Sequence, residues 1–294
     1  MSIVDVLLVA LCAVAVGYIV VGVVTARSSG SFAWPTPLQT IIGFVTDFFD
    51  TLGIGSFAPT TAFFKLAKAV PDEQIPGTLN VGHALPTIAE ALLFIGAVQV
   101  DVVTLVSMIV ASVAGAWLGA GFVARLPRRA VQIGMGIALI VAALLFLKSA
   151  LDVNVHSGTA VGLTGGTLAF AIVANFCLGA LMTLGIGLYA PALILVSLLG
   201  MNPLTAWPIM MGSCAFLMPT ASTRFIRLKA FSWRASLGLT LGGIPGVLVA
   251  FFLVKHLSLD VIRWLVIVVV LYAALSMLRS AYVERSKKVV AARA

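Results

Sequence analysis

Thr51-Leu52-Gly53-Ile54-Gly55 recurs as Thr183-Leu184-Gly185-Ile186-Gly187, and Ala-Pro follows three residues after each copy, at Ala58-Pro59 and Ala190-Pro191. The offset is 132 residues, Pro76 matches Pro208 at that offset, and the register then continues with slips of one. Gly115 falls on Gly246, and 128–147 falls on 259–278. One pentapeptide could recur by chance in an apolar chain, but a register held over roughly 100 residues marks an internal repeat. Two homologous halves follow, 39–150 and 171–282.

The surrounding chain has 294 residues, of which 61% are hydrophobic and 10% charged, with a mean hydropathy of +1.16. Soluble domains carry about 25% charged residues, so these charges cannot cover a water-facing surface of this size. A soluble enzyme, a disordered chain and, despite a pI near 9.8, a nucleic-acid binder are all excluded. A transmembrane helix needs about 20 mostly apolar residues. Such runs cover 3–26, 39–66, 76–97, 102–124, 130–150, 159–200, 204–223, 235–255 and 261–281, separated by Pro, Gly and Asp turn signals. None shows the alternation of an outer-membrane barrel. The expected fold is an all-α integral membrane protein with two inverted-topology helical repeats, each opening with a Gly/Pro-broken helix, plus an extra N-terminal helix. The chain divides into that helix and its linker (1–38), a first repeat (39–150), a connector (151–170), a second repeat (171–282) and a basic tail (283–294). Cys12, Cys177 and Cys214 have no ligand spacing and read as small buried hydrophobes.

Inversion is read from charge. Lys and Arg favour the cytoplasmic side, and equivalent loops of the two halves differ in basicity. Lys65 and Lys68 face an uncharged loop at 200–203, whereas the base-free loop at 97–101 corresponds to Arg224, Arg227, Lys229 and Arg234. The resulting topology puts 15 of the 18 bases inside and leaves Lys148, Lys255 and Arg263 outside. The C-terminus is then cytoplasmic, in a multi-pass protein of the inner membrane.

Gly53, Gly55, Gly185 and Gly187, with Pro59 and Pro191, break otherwise apolar runs. Non-helical backbone at membrane depth survives only against protein or a water-filled cavity, and a half-helix start presents N–H groups suited to an anion. The competing reading is close helix packing through small residues. Ser56 and Thr60 lie where a following half-helix would begin. Asn80, His83, Thr87 and Glu90 share one face of 76–97. Candidate substrate-binding residues are Thr51, Gly53, Gly55, Ser56, Asn80, His83, Thr183, Gly185, Gly187 and Tyr189. Asp47, Asp50 and Glu90 are the acids expected within the membrane and the candidates for coupling to H⁺ or Na⁺. The alternative for each is an interhelical hydrogen bond or a salt bridge. No metal or cofactor motif and no catalytic constellation is visible, so no enzyme activity and no cofactor are expected.

The stretch Asp50-Thr-Leu-Gly-Ile-Gly-Ser-Phe-Ala-Pro59 and its later copy resemble the sulfite exporter TauE/SafE family, also called the 4-toluene sulfonate uptake permeases, over about 39–282. Many members have a glycine-richer break; here Ser56-Phe57 and Leu188-Tyr189 stand in place of the later glycines. The resemblance implies secondary transport of small sulfur-bearing anions such as sulfite, sulfonates or sulfoacetate, with cation coupling. The expected partners are that anion, a coupling cation and the lipid bilayer, with a homo-oligomer left open. An anion channel and a non-transporting assembly or sensor subunit remain the rival readings.

Overall fold

A computed structural model describes residues 2–29, 33–123, much of 132–147, 158–182 and 187–291. Among these residues the chain is helical and has no strand. We label the helices α1 (Ile3–Ser29), α2 (Pro37–Thr51), α3 (Phe57–Ala67), α4 (Ile75–Ala97), α5 (Val102–Val123), α6 (Gly165–Met182), α7 (Tyr189–Leu198), α8 (Ala206–Arg227), α9 (Trp233–Lys255) and α10 (Leu259–Ala291). Among the described residues five stretches are long and apolar enough to cross a membrane: Ile3–Thr25, Ile75–Ala97, Gly165–Met182, Pro203–Arg227 and Trp233–Val254. The run 39–66 resolves into the half-helices α2 and α3, and 159–200 into α6 and α7. With 15 residues, α2 reaches only ~22 Å, less than the ~30 Å hydrocarbon core. The tail expected from 283 continues as helix to Ala291. Of the three cysteines only Cys214 is buried; Cys12 and Cys177 are exposed on the outward faces of α1 and α6. An outward face costs nothing for a thiol that lipid solvates as well as protein does.

Local signals start α2. Thr36 and Gln39 form a capping box, with the Gln39 N–H donating to Thr36 Oγ1 at 3.3 Å and the Thr36 N–H to Gln39 Oε1 at 2.9 Å; Pro37 follows at the first helical position. The buried positions Gln39, Ile42, Gly43, Thr46, Asp47, Asp50 and Thr51 then recur at helical spacing and form the inward face of α2, whose main partner is α9.

The most extensive helix pairings are α2 with α9, α5 with α6, and α4 with α8. Under the repeat register α2 corresponds to α6, α5 to α9, and α4 to α8. The first two pairings therefore exchange, and the third maps onto itself. Atomic contacts obey the same exchange: a Cβ on Gly246 would collide with the Phe44 carbonyl, and a Cβ on Gly115 with the Phe176 carbonyl. Phe176 is the register equivalent of Phe44. Pro86 inside α4 has no N–H for the Gly82 carbonyl, and Thr240 Oγ1 of α9 donates to that carbonyl at 2.7 Å instead.

Loop contacts sort the two ends of the bundle. At one end the Ser232 N–H donates to Thr78 Oγ1 at 3.0 Å, and Arg234 Nε to the Trp34 carbonyl at 2.9 Å. This gathers the starts of α2, α4 and α9. At the other end the Asp101 N–H donates to Val161 O and the Asn202 N–H to Ala160 O, each at 2.8 Å. That gathers the α4–α5 link, the approach to α6 and the α7–α8 link. Thr104 donates from its N–H and hydroxyl to Asp101 at 2.8 Å, holding that carboxyl below the usual carboxylate range. Thus α2 and its counterpart α6 begin at opposite ends.

Packing of this closeness predicts that Gly115→Leu and Gly246→Leu each destabilise the detergent-solubilised protein by about 1–3 kcal/mol, since a backbone carbonyl cannot move aside. Gly17→Leu on α1, where a Cβ meets open space, should leave the thermal midpoint unchanged.

Candidate functional site

The first break is built by backbone geometry. The Gly53 N–H donates to Asp50 O at 2.7 Å and the Ile54 N–H to Phe49 O at 3.1 Å, a Schellman motif that ends α2. Gly53 and Gly55 have φ of +95° and +88°, values that strain an L side chain. Asp50 then spans the break, accepting from the Ser56 N–H at 2.8 Å and Ser56 Oγ at 3.0 Å. With its hydroxyl engaged there, Ser56 gives α3 no side-chain cap.

The polar face of α4 lies against this break. The Nδ1–H of His83 donates to Asp47 Oδ1 at 2.8 Å and reaches Oδ2 at 3.0 Å, with both residues fully buried. Its Nε2 lies 3.1 Å from Thr60 Oγ1 on α3, accepting from the hydroxyl when the ring is neutral and donating to it when the ring is charged. His83 thereby joins the two arms of the break. Two turns on, Glu90 Oε1 lies 2.7 Å from Thr51 Oγ1, and Oε2 accepts from the Tyr189 hydroxyl at 2.9 Å. Thr51 ends α2 and Tyr189 begins α7, so Glu90 connects the first broken helix to the second. Trp207 Nε1 of α8 donates to the Thr51 carbonyl at 2.7 Å, one of the acceptors left over where α2 stops. Between His83 and Glu90 on the same face sits Thr87, buried, its hydroxyl without a partner among the described residues.

These contacts bring together Thr51, Ser56, His83 and Tyr189 with Asp47, Asp50 and Glu90. Asn80 is turned elsewhere: its Nδ2 donates to the Pro76 carbonyl of its own helix at 2.9 Å. Thr183 and Gly185 lie outside the described residues. Gly187 is described and exposed, with open space around it, and Gly55 also faces open space. Sequence reasoning missed Trp207, because nothing in its spacing separates a hydrogen-bonding indole from a core aromatic. Thr87 was legible only as part of the stripe. Among the described residues no group of three His, Cys, Asp or Glu side chains could hold a metal ion. The chemistry available is proton and hydrogen-bond exchange among buried carboxyls, an imidazole and hydroxyls.

Removing one member of the buried pair strands the other. His83→Leu should cost about 3–5 kcal/mol by leaving Asp47 without its partner, and adding Asp47→Asn should recover much of that loss, read as the thermal midpoint in detergent. Gly53→Ala should cost about 1–2 kcal/mol through its left-handed backbone alone.

Residues 167–293, somewhat under half of the chain, match the family model described as Sulfite exporter TauE/SafE. No curated protein and no solved structure matches. The matched stretch holds α6 through α10, whereas the carboxyls and the histidine of the site come from the unmatched first half. Over residues 167–293 the chain is similar to the TauE/SafE family, a family of membrane transporters and not of enzymes.

Proposed function

We propose that this protein is a secondary transporter moving small sulfur-containing anions, of the sulfite, sulfonate or sulfoacetate type, across the inner membrane by alternating access coupled to H⁺ or Na⁺. The observation that carries this reading is the Glu90 bridge. One buried carboxyl touches the end of α2 and the start of α7, so movement of one half against the other must remake its bonds. The anion site lies at the two breaks, with Thr51, Gly53, Gly55, Ser56 and His83 from the first half and Thr183, Gly185, Gly187 and Tyr189 from the second. Asn80 contributes only after its side chain leaves its own helix. Uncapped half-helix starts at Phe57 and Tyr189 and the unpartnered Thr87 hydroxyl supply donors for the anion. Asp47, Asp50 and Glu90 are the coupling groups.

The halves are proposed to be inverted repeats, a reading supported by the opposite ends at which α2 and α6 begin. Lys65, Lys68, Arg227, Lys229 and Arg234 all belong to helix ends and links at the end that gathers the starts of α2, α4 and α9. That end is taken as cytoplasmic, and α10 carries the C-terminus to it. An inverted arrangement suits rocking of one half about a shared site.

Purified protein in liposomes should take up radiolabelled sulfite with saturation and respond to an imposed pH or Na⁺ gradient. Flux that neither saturates nor responds to either gradient would make the protein a channel. Absence of any sulfite or sulfonate flux would sink the transport reading.

A further inference from the structure

The reading above leaves three acids as coupling groups, and the hydrogen-bond geometry separates them. The carboxylate of Asp47 has a fully buried imidazole against it. Asp50 is held by the N–H and hydroxyl of Ser56 across a turn of its own segment, so its bonds lie within one half. Glu90 differs in both respects. Its partners among the described residues are two neutral hydroxyls, and they belong to different halves.

Proton counting sharpens the difference. Thr51 Oγ1 lies 2.8 Å from the Asp47 carbonyl and 2.7 Å from Glu90 Oε1, and it has one proton to give. Buried helical hydroxyls elsewhere in this protein donate to the carbonyl one turn back, as Thr46 does to Ile42 O and Ser197 to Leu193 O, each at 2.8 Å. If Thr51 does the same, its oxygen accepts from Glu90, and Glu90 is a carboxylic acid. Each proton then has one acceptor: Tyr189 O–H to Glu90 Oε2, Glu90 O–H to Thr51 Oγ1, and Thr51 O–H to Asp47 O. A bare carboxylate at this fully buried position would face two neutral donors and no cation, an expensive arrangement. The titratable groups around it are Asp47 and Asp50 on α2, His83 on α4, Tyr189 on α7 and Cys214 on α8. Two of these are acids that further disfavour a third charge.

We propose that Glu90 carries the coupling proton, and that the proton and the anion occupy the site together. An anion beside α2 and α7 is repelled by an ionised Glu90 and tolerated by a protonated one, so each stabilises the other's binding. When Glu90 gives up its proton, the Thr51 and Tyr189 bonds rearrange and the two broken helices are free to separate. Asp47 and His83 stay paired throughout and hold α4 to the first break. This assignment rests on the transporter reading, and the experiment below distinguishes failure of one from failure of the other.

Glu90→Gln keeps the shape and both hydrogen bonds of the acid form, with the amide N–H donating to Thr51 and the amide oxygen accepting from Tyr189, but it cannot exchange a proton. In liposomes Glu90→Gln should retain sulfite counterflow within a few-fold of wild type and lose accumulation driven by a pH gradient. Wild type should bind or exchange sulfite more tightly as pH falls, and the ratio of wild type to Glu90→Gln should keep a pH dependence, because sulfite's own titration is common to both proteins and cancels. Accumulation by Glu90→Gln equal to wild type, or an unchanged pH profile, overturns the proposal while leaving the transport reading intact. Loss of sulfite flux in wild type removes the reading beneath it. If Glu90→Gln does not fold, Tyr189→Phe decides. It removes a donor that favours the ionised carboxyl, so the pH at which uptake falls to half should move upward; an unmoved profile counts against Glu90.

Discussion

A helix interrupted inside an apolar bundle exposes backbone groups that neither water nor lipid can satisfy, so the protein must provide every partner itself. Most of the site follows from that requirement. The Schellman bonds at Gly53 and Ile54 consume two carbonyls at the end of α2, and Trp207 consumes a third at Thr51. Asp50 meets the Ser56 N–H on the far side of the gap. Once these acceptors and donors are in place, α4 can bring His83 and Glu90 against the break, where each polar atom meets a partner from a different element. The broken helix thus demands a polar environment, and that environment is what the transported species would use.

The two halves share the Thr-Leu-Gly-Ile-Gly sequence but not the ionisable residues around it. In register, Asp47 is matched by Gly179 and Asp50 by Met182, and with the slip of one along α4, His83 is matched by Phe216 and Glu90 by Thr223. The packing still exchanges faithfully. Gly243 of α9 lies against Asp47, and at the equivalent crossing Gly179 of α6 lies against Ser112 of α5. There the polar contact carries no charge: Asn175 Nδ2 donates to the Met108 carbonyl at 2.7 Å. Duplicated scaffolds with one set of ionisable groups give a single charged site that both halves grip, since Tyr189 and Trp207 reach it from the second half.

Much of this was legible in residue order. The breaks announced themselves because glycine and proline together are improbable in a run that must stay helical, and the stripe of His83, Thr87 and Glu90 was visible because helical spacing alone puts those residues on one face. The errors have equally local causes. Asn80 keeps that spacing, but its short amide reaches the carbonyl one turn back more easily than it reaches across to another helix. Cys12 and Cys177 were expected inside because thiols behave as hydrophobes; in lipid, however, apolarity does not choose between inward and outward faces.

The sequence by itself determined that the chain is a helical membrane protein, where its helices break and how its halves correspond, because hydropathy, backbone permissiveness and repeat register are properties of residue order. Only the tertiary structure decided which acid is paired with an imidazole, which closes its own turn, and which reaches between the halves. Asp47, Asp50 and Glu90 are equivalent as buried carboxyls in a linear chain. They become different groups when Thr51, Ser56, His83 and Tyr189, up to 99 positions away in sequence, arrive within hydrogen-bond distance, and a hydrogen bond depends on distance and angle in space, not on separation along the chain.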